Sequence, residues 1–369
     1  MNYSILYLFA FLVIMSCTTN NTQSSSKASI DLMVGTYTGD GSEGIYQLKF
    51  NAKTGELSDP ILIAKTSNPS FLDISSDGQY VYSVSEDEEG AVSSWTWNDK
   101  GTLDLINQVP TYGKHPCYID EANGLIAVAN YSSGNGGIYT ITQNGGLSKG
   151  GSEFQHYGSS KNAERQGEPH AHFSQFYKDG NTLYVIDLGI DQVIGYPVNN
   201  GRLGAAKTAL VAEGGDGPRH LEFHPEKNLV FIVTELTSEV ISASVDQESG
   251  KFIVIDKKST LPEDFTGESY CADIHVSADG QFLYVSNRGH QSIAIFKINE
   301  DGTLEMLATD DVQGDWPRNF TLSPDGDFLL VANQNSDNIT VFKRDKKTGL
   351  LEHTGNEIKL SHPVCLKFF

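Results

Sequence analysis

One outline recurs along this chain at intervals of roughly 46 to 53 residues, and a repeat of that length restricts the fold more than any composition does. Its clearest copy is GPRHLEFHPEKNLVFIVTE from Gly217: a Gly-Pro opening, an apolar stretch, a turn, a second apolar stretch and an acid. Other copies begin at Asn68, His115, Glu168, Tyr270 and Trp316, anchored on Pro69, Pro116, Pro169, Pro218, Cys271, Pro317 and Pro363. The last anchor opens only half a copy, His362 to Phe369. Its missing half stands at the other end, from Ile30.

Each unit reads as strand, Asp-Gly type turn, strand, loop, strand, a "TG-L" or "DG-L" turn and a fourth strand. Asp-Gly between alternating apolar runs is a strong hairpin signal. The chain is therefore expected to be all-β: a seven-bladed β-propeller with four antiparallel strands per blade. The C-terminal strand would join the N-terminal blade and leave no open edge. No long amphipathic helical pattern occurs. Gly39-x-Gly41-x-x-Gly44 is followed by a strand (IYQLKF), where a dinucleotide fingerprint needs a helix, so it reads as a hairpin. Gly134 to Gly137 reads as another turn, and the absence of GxSxG excludes a nucleophile elbow.

Residues 1–16 resemble a lipoprotein signal peptide, ending before Cys17 as the expected lipidation site, although the first four residues carry no Lys or Arg. Residues 17–29 read as a flexible tether and 30–369 as a single propeller domain. A formal net charge of -21 argues against nucleic acid and anionic membrane surfaces as partners. Membrane contact is expected only through a lipid at Cys17, and the oligomeric state is not legible. Cys117, Cys271 and Cys365 are odd in number and widely spaced, so they read as small buried apolar residues without disulfide or zinc roles. No cofactor and no metal is expected.

In an antiparallel hairpin the residue that starts the first strand lies beside the residue that ends the second. Applied to every copy, this brings His170, Arg219, Arg318, Glu235, Arg288 and Asp187 to one mouth of the channel. His172 follows His170 on the same side by the period of two. A metal at this His-x-His pair is not expected beside arginines. His220 should face away and pack. His172, Asp187 and Arg318 are expected to contact substrate, and the polar loop GSSKNAERQGE, with Arg165 and Glu168, to overhang the mouth.

The segments VGTYT (from Val34), EPHAHFS (from Glu168), DLG (from Asp187), GPRH (from Gly217), TE (from Thr234) and SNRGH (from Ser286) resemble the seven-bladed lactonase family. That family includes bacterial 6-phosphogluconolactonases and fungal carboxy-muconate cyclases. In the cyclases the catalytic site is a histidine, two arginines and a glutamate; by motif position these fall on His170 (or His172), Arg219, Arg288 and Glu235. The resemblance implies a lactonase hydrolysing an anionic sugar lactone. Arg219 and Arg288 would hold the anion and face the oxyanion, and Glu235 or His170 would activate water. A muconate-type cycloisomerase, or a non-catalytic envelope-tethered binding module, would use the same mouth. The leader departs from the cytoplasmic members and implies a periplasmic lipoprotein, with the cytoplasm as the alternative.

Overall fold

A computed structural model describes residues 29–178 and 180–369; the leader, Cys17 and the tether up to residue 28 lie outside them. Every element among the described residues is a strand, and the strands form seven antiparallel sheets. Blade 1 is Pro363–Phe368, Ser29–Thr36, Gly44–Asn51 and Ile61–Lys65. Blade 2 is Leu72–Ile74, Tyr80–Ser85, Ala91–Trp97 and Leu103–Pro110. Blade 3 is Pro116–Ala122, Leu125–Asn130, Asn135–Thr140 and Ser152–Gln155. Blade 4 is Ala171–Phe176, Thr182–Asp187, Gln192–Asn199 and Lys207–Val211, with a two-residue strand, Arg202–Leu203, before the outermost one. Blade 5 is Pro218–Phe223, Leu229–Thr234, Glu239–Val245 and Phe252–Ser259. Blade 6 is Tyr270–Val276, Phe282–Arg288, Ser292–Ile298 and Leu304–Asp311, and blade 7 is Pro317–Leu322, Phe328–Asn333, Asn338–Arg344 and Leu351–Lys359.

The ring closes as the split repeat requires: Leu32 pairs with Phe368 and Val34 with Leu366. Second strands are buried on both faces, which is why Leu229–Thr234 (LVFIVT) is apolar almost throughout. Outermost strands such as Leu351–Lys359 instead alternate with solvent. The apolar core lies between neighbouring blades; Phe231 and Val233 of blade 5, for example, pack with Ile274, Leu283 and Val285 of blade 6. The glycine turns before the fourth strands tie blades together, because Tyr184 donates to the Gly250 carbonyl (3.1 Å) and Tyr284 to that of Gly349 (2.8 Å). Gly134 is in a turn, but Gly136 and Gly137 are not: both lie in the strand Asn135–Thr140. A Cβ on Gly136 would come within 2.1 Å of the Val128 carbonyl oxygen, so close strand packing explains that glycine. Cys117, Cys271 and Cys365 are buried and unpaired.

One irregularity positions the site. In blade 5 Pro218 pairs with Thr234 and His220 with Val233, so Arg219 is skipped and bulges. The skipped residues elsewhere are Cys117, His172, Arg318 and Val364, with Ala272 and Asp273 both skipped in blade 6. One residue further on, Phe71, Tyr118, Phe173 and His220 pack together, with Phe71–Tyr118 and Tyr118–Phe173 centroids 4.2 Å apart. Phe71 belongs to the turn into blade 2 and His220 to blade 5, on opposite sides of the ring, yet their rings are 6.2 Å apart. The channel is therefore plugged at this level. Above the plug is the mouth into which Tyr37, Glu86, Tyr131, Glu235 and Arg288 emerge at the ends of second strands.

Candidate active site

A cavity of about 250 Å³ occupies the mouth. It is walled by three guanidiniums (Arg165, Arg288, Arg318), two carboxylates (Glu86, Glu235), the phenols of Tyr37 and Tyr131, His172 and Cys117. A narrow recess beneath it is lined by Glu86, Cys117, Arg318 and, from behind, Arg219. Glu235 gathers the arginines. Its Oε1 accepts from Arg165 Nη2 (2.5 Å), and its Oε2 from Arg288 Nη2 (2.8 Å) and Arg219 Nε (3.0 Å). Burial opposes ionisation of Glu235, but Arg288, Arg219 and Arg165 together outweigh it and hold the carboxyl well below the usual carboxylate range. Burial, with Arg288 and Arg318 nearby, pushes Arg219 down to about 10, still charged at neutral pH.

The arginines are fixed from behind. Arg219 donates to the Ala272 carbonyl, and its Nη1 lies 3.2 Å from His220 Nε2. Arg288 donates to the carbonyls of Cys271 (2.9 Å) and Tyr270 (3.2 Å), and its guanidinium sits 5.3 Å from the centre of the Trp316 ring. A second group stands across the mouth. Arg318 donates to the Tyr37 hydroxyl (2.7 Å), which donates to Glu86 (2.9 and 3.0 Å), and Ser70 donates to the same carboxylate. Burial pushes the Tyr37 phenol far above the tyrosine range, so it keeps its proton.

His170 and His172 do not share a face, because the bulge breaks the alternation. His172 is in register with Arg219 and Arg318 and lines the cavity. Burial, and then Arg219, His220 and Arg318, drive it well below its ordinary value, so it is neutral. His170 precedes the strand and lies outside the lining, stacked on Tyr131 (centroids 4.4 Å apart) with Nδ1 3.1 Å from the Tyr131 carbonyl. Asp187 is also away from the cavity. It is wholly buried, accepting from the amides of His170 (2.7 Å) and Gly189 (2.9 Å), with His156 Nδ1 at 2.7 Å. It occupies the strand position of Asn130, Thr234 and Asn333, polar residues that bond the third strand of their blade (Thr234 to Glu239, Asn333 to Thr340) or the segment entering it (Asn130 to Thr111). His220 is buried with Nδ1 2.9 Å from Asp273.

The sequence reading did not single out Tyr37, Glu86, Tyr131 or Cys117, although the first three share the strand-end position of Glu235 and Arg288. Arg165 belongs to the overhanging loop and reaches the cavity from it, whereas Glu168 is exposed and does not line it. Among the described residues no group of three or more His, Cys, Asp or Glu side chains is placed to hold a metal ion.

The site is thus an axial cavity rich in guanidiniums, set in a closed seven-bladed ring. The chain belongs to the seven-bladed β-propeller lactonase family, whose sequence model matches residues 31–368. It is 36% identical over 340 residues to a 6-phosphogluconolactonase of Bacillus subtilis, covering 91% of this chain and 97% of that one. Among solved structures it resembles a putative 6-phosphogluconolactonase of Bacteroides fragilis (36% identity, TM-score 0.87, covering 94% and 99% of the two chains). It also resembles the periplasmic gluconolactonase of Pseudomonas aeruginosa (32% identity, TM-score 0.87, covering 92% and 99%). Membership makes it a lactonase, a carboxylic ester hydrolase.

Proposed function

We propose that the protein hydrolyses a small anionic sugar lactone of the 6-phosphogluconolactone type. The observation that carries this reading is the charge of the mouth: three guanidiniums against two carboxylates in one cavity, with a fourth arginine behind it, in a chain of net charge -21. A volume of about 250 Å³ is below the ~300–1,000 Å³ usual for drug-sized ligands and suits a single sugar ring. Guanidiniums bind carboxylate and phosphate through paired donors and do not lose their charge. The same donors face the oxygen that becomes negative when water adds to a lactone carbonyl, and they are pre-positioned by Glu235 and by backbone carbonyls. Arg288, Arg318 and Arg165 touch the substrate in this scheme, and Arg219 fixes Glu235 from behind.

Purified protein given D-glucono-1,5-lactone, its 6-phosphate and cis,cis-muconates tests the proposal. Hydrolysis of the lactones is expected, with kcat/KM for the phosphate ester higher by about tenfold or more, equivalent to ~1.4 kcal/mol of extra transition-state binding. Action on muconates alone would replace the lactonase reading with a cycloisomerase. We further propose that the leader directs the protein to the cell envelope with a lipid on Cys17. Globomycin should then cause an unprocessed precursor to accumulate, and a Cys17→Ala chain should be insensitive to the drug.

A further inference from the structure

Three side chains lining the cavity are chemically able to take a proton from water: Glu235, His172 and Glu86. Glu235 accepts from three guanidiniums, which hold its proton affinity down and make it a poor base. His172 is buried among Arg219, His220 and Arg318, and the same physics weakens it. A base too weak to hold a proton gives little Brønsted assistance near neutral pH.

We propose that Glu86 is the general base that activates the hydrolytic water, an assignment that rests on the lactonase reading above. Its donors are hydroxyls, Tyr37 and Ser70, and no guanidinium bonds it directly. A carboxylate has about four acceptor sites. The divided bond from Tyr37 takes two and Ser70 a third, leaving one on Oε1 for water. Facing Glu86 are Tyr37 of blade 1, Cys117 of blade 3, Arg219 of blade 5 and Arg318 of blade 7, and it borders both the cavity and the recess. Arg318 reaches it only through the Tyr37 hydroxyl. Glu235 with its arginines stands across the mouth, so a lactone carbonyl held there presents its other side to Glu86.

The step balances without any co-reactant. Water's oxygen bonds to the carbonyl carbon as Glu86 takes one of its protons. The tetrahedral adduct then collapses, the ring C–O bond breaks, and the departing alkoxide takes a proton from the Tyr37 hydroxyl, which Glu86 restores. Lactone and water become one hydroxy acid, and Glu86 ends as a carboxylate.

The test uses the full chain with the lactone hydrolysed best by the wild type, comparing Glu86→Gln, Glu86→Ala and Tyr37→Phe. Glu86→Gln should lower kcat by about 10²–10⁴ and leave KM within a few-fold. Glu86→Ala should regain activity with added formate, which can occupy the vacated space. Tyr37→Phe should lose less than Glu86→Gln. Wild-type-like kcat in Glu86→Gln, with an active wild type, overturns the assignment alone. Loss without formate rescue, equalled by Tyr37→Phe, also overturns it, by reducing Glu86 to a support for Tyr37. A wild type inert on every lactone fails the reading and the assignment together.

Discussion

Arg288→Ala should yield a folded protein whose kcat on the best lactone is lower by about 10²–10³, the effect of one lost oxyanion donor, ~2.7–4 kcal/mol. Arg288 lines the cavity, is bonded to two backbone carbonyls and Glu235, and lies against Trp316, so its remaining donors meet the substrate without reorganising. Removing it leaves Glu235 with Arg165 and Arg219, so the buried carboxylate stays paired and stability changes little. Lysine should not rescue it. A single ammonium cannot serve two carbonyls and a carboxylate in one plane, so Arg288→Lys should remain more than about tenfold below wild type. If KM rose while kcat held, Arg288 would be binding ground state and transition state equally and the oxyanion role would be lost. Arg219 is a less clean target, since it does not line the cavity and would act only through Glu235.

The propeller was legible because the repeat states it seven times, and the half copies at the two ends state the closure, realised in the pairing of Leu32 with Phe368. The company of Glu235, Arg219 and Arg288 was legible for the same reason: strand-end positions in equivalent hairpins converge whatever their side chains. Which of His170 and His172 joins them was not. In EPHAH the proline stands two residues ahead of the place that Pro218 holds in GPRH, where Ala171 pairs with Asp187, and a bulge leaves no mark in an apolar pattern. Asp187 was expected at the mouth from its place one residue short of a strand end, whereas that position, shared with Asn130, Thr234 and Asn333, is buried away from the cavity. Glu86 was hidden by its neighbours: the run Glu86-Asp87-Glu88-Glu89 reads as a solvated loop, and only the hairpin register distinguishes its first acid from the rest. Arg165 lies outside the repeat, so loop length was its only signal.

Glu235 is where the site bears on the stability of the whole ring. Glu235→Ala would leave Arg165, Arg219 and Arg288 converging on nothing, and breaking a buried pair from one side costs about 3–5 kcal/mol. In a chain of this size that is a fall in Tm of about 4–7 °C. The sign with pH follows from the direction of the shift. The folded carboxyl holds its proton less readily than the unfolded one, whose pKa is about 4.3. Its contribution to stability is therefore complete above about pH 5 and is lost as pH falls below ~4 toward the folded value. The deficit of Glu235→Gln against wild type, measured by urea unfolding, should accordingly be level from pH 5 to 8 and shrink under stronger acid. A deficit that grew with acidity would mean that Glu235 is destabilised by its burial more than it is held by its arginines. The mouth would then be cationic in spite of Glu235, with the three guanidiniums held apart by their backbone carbonyls and not by a shared counter-charge.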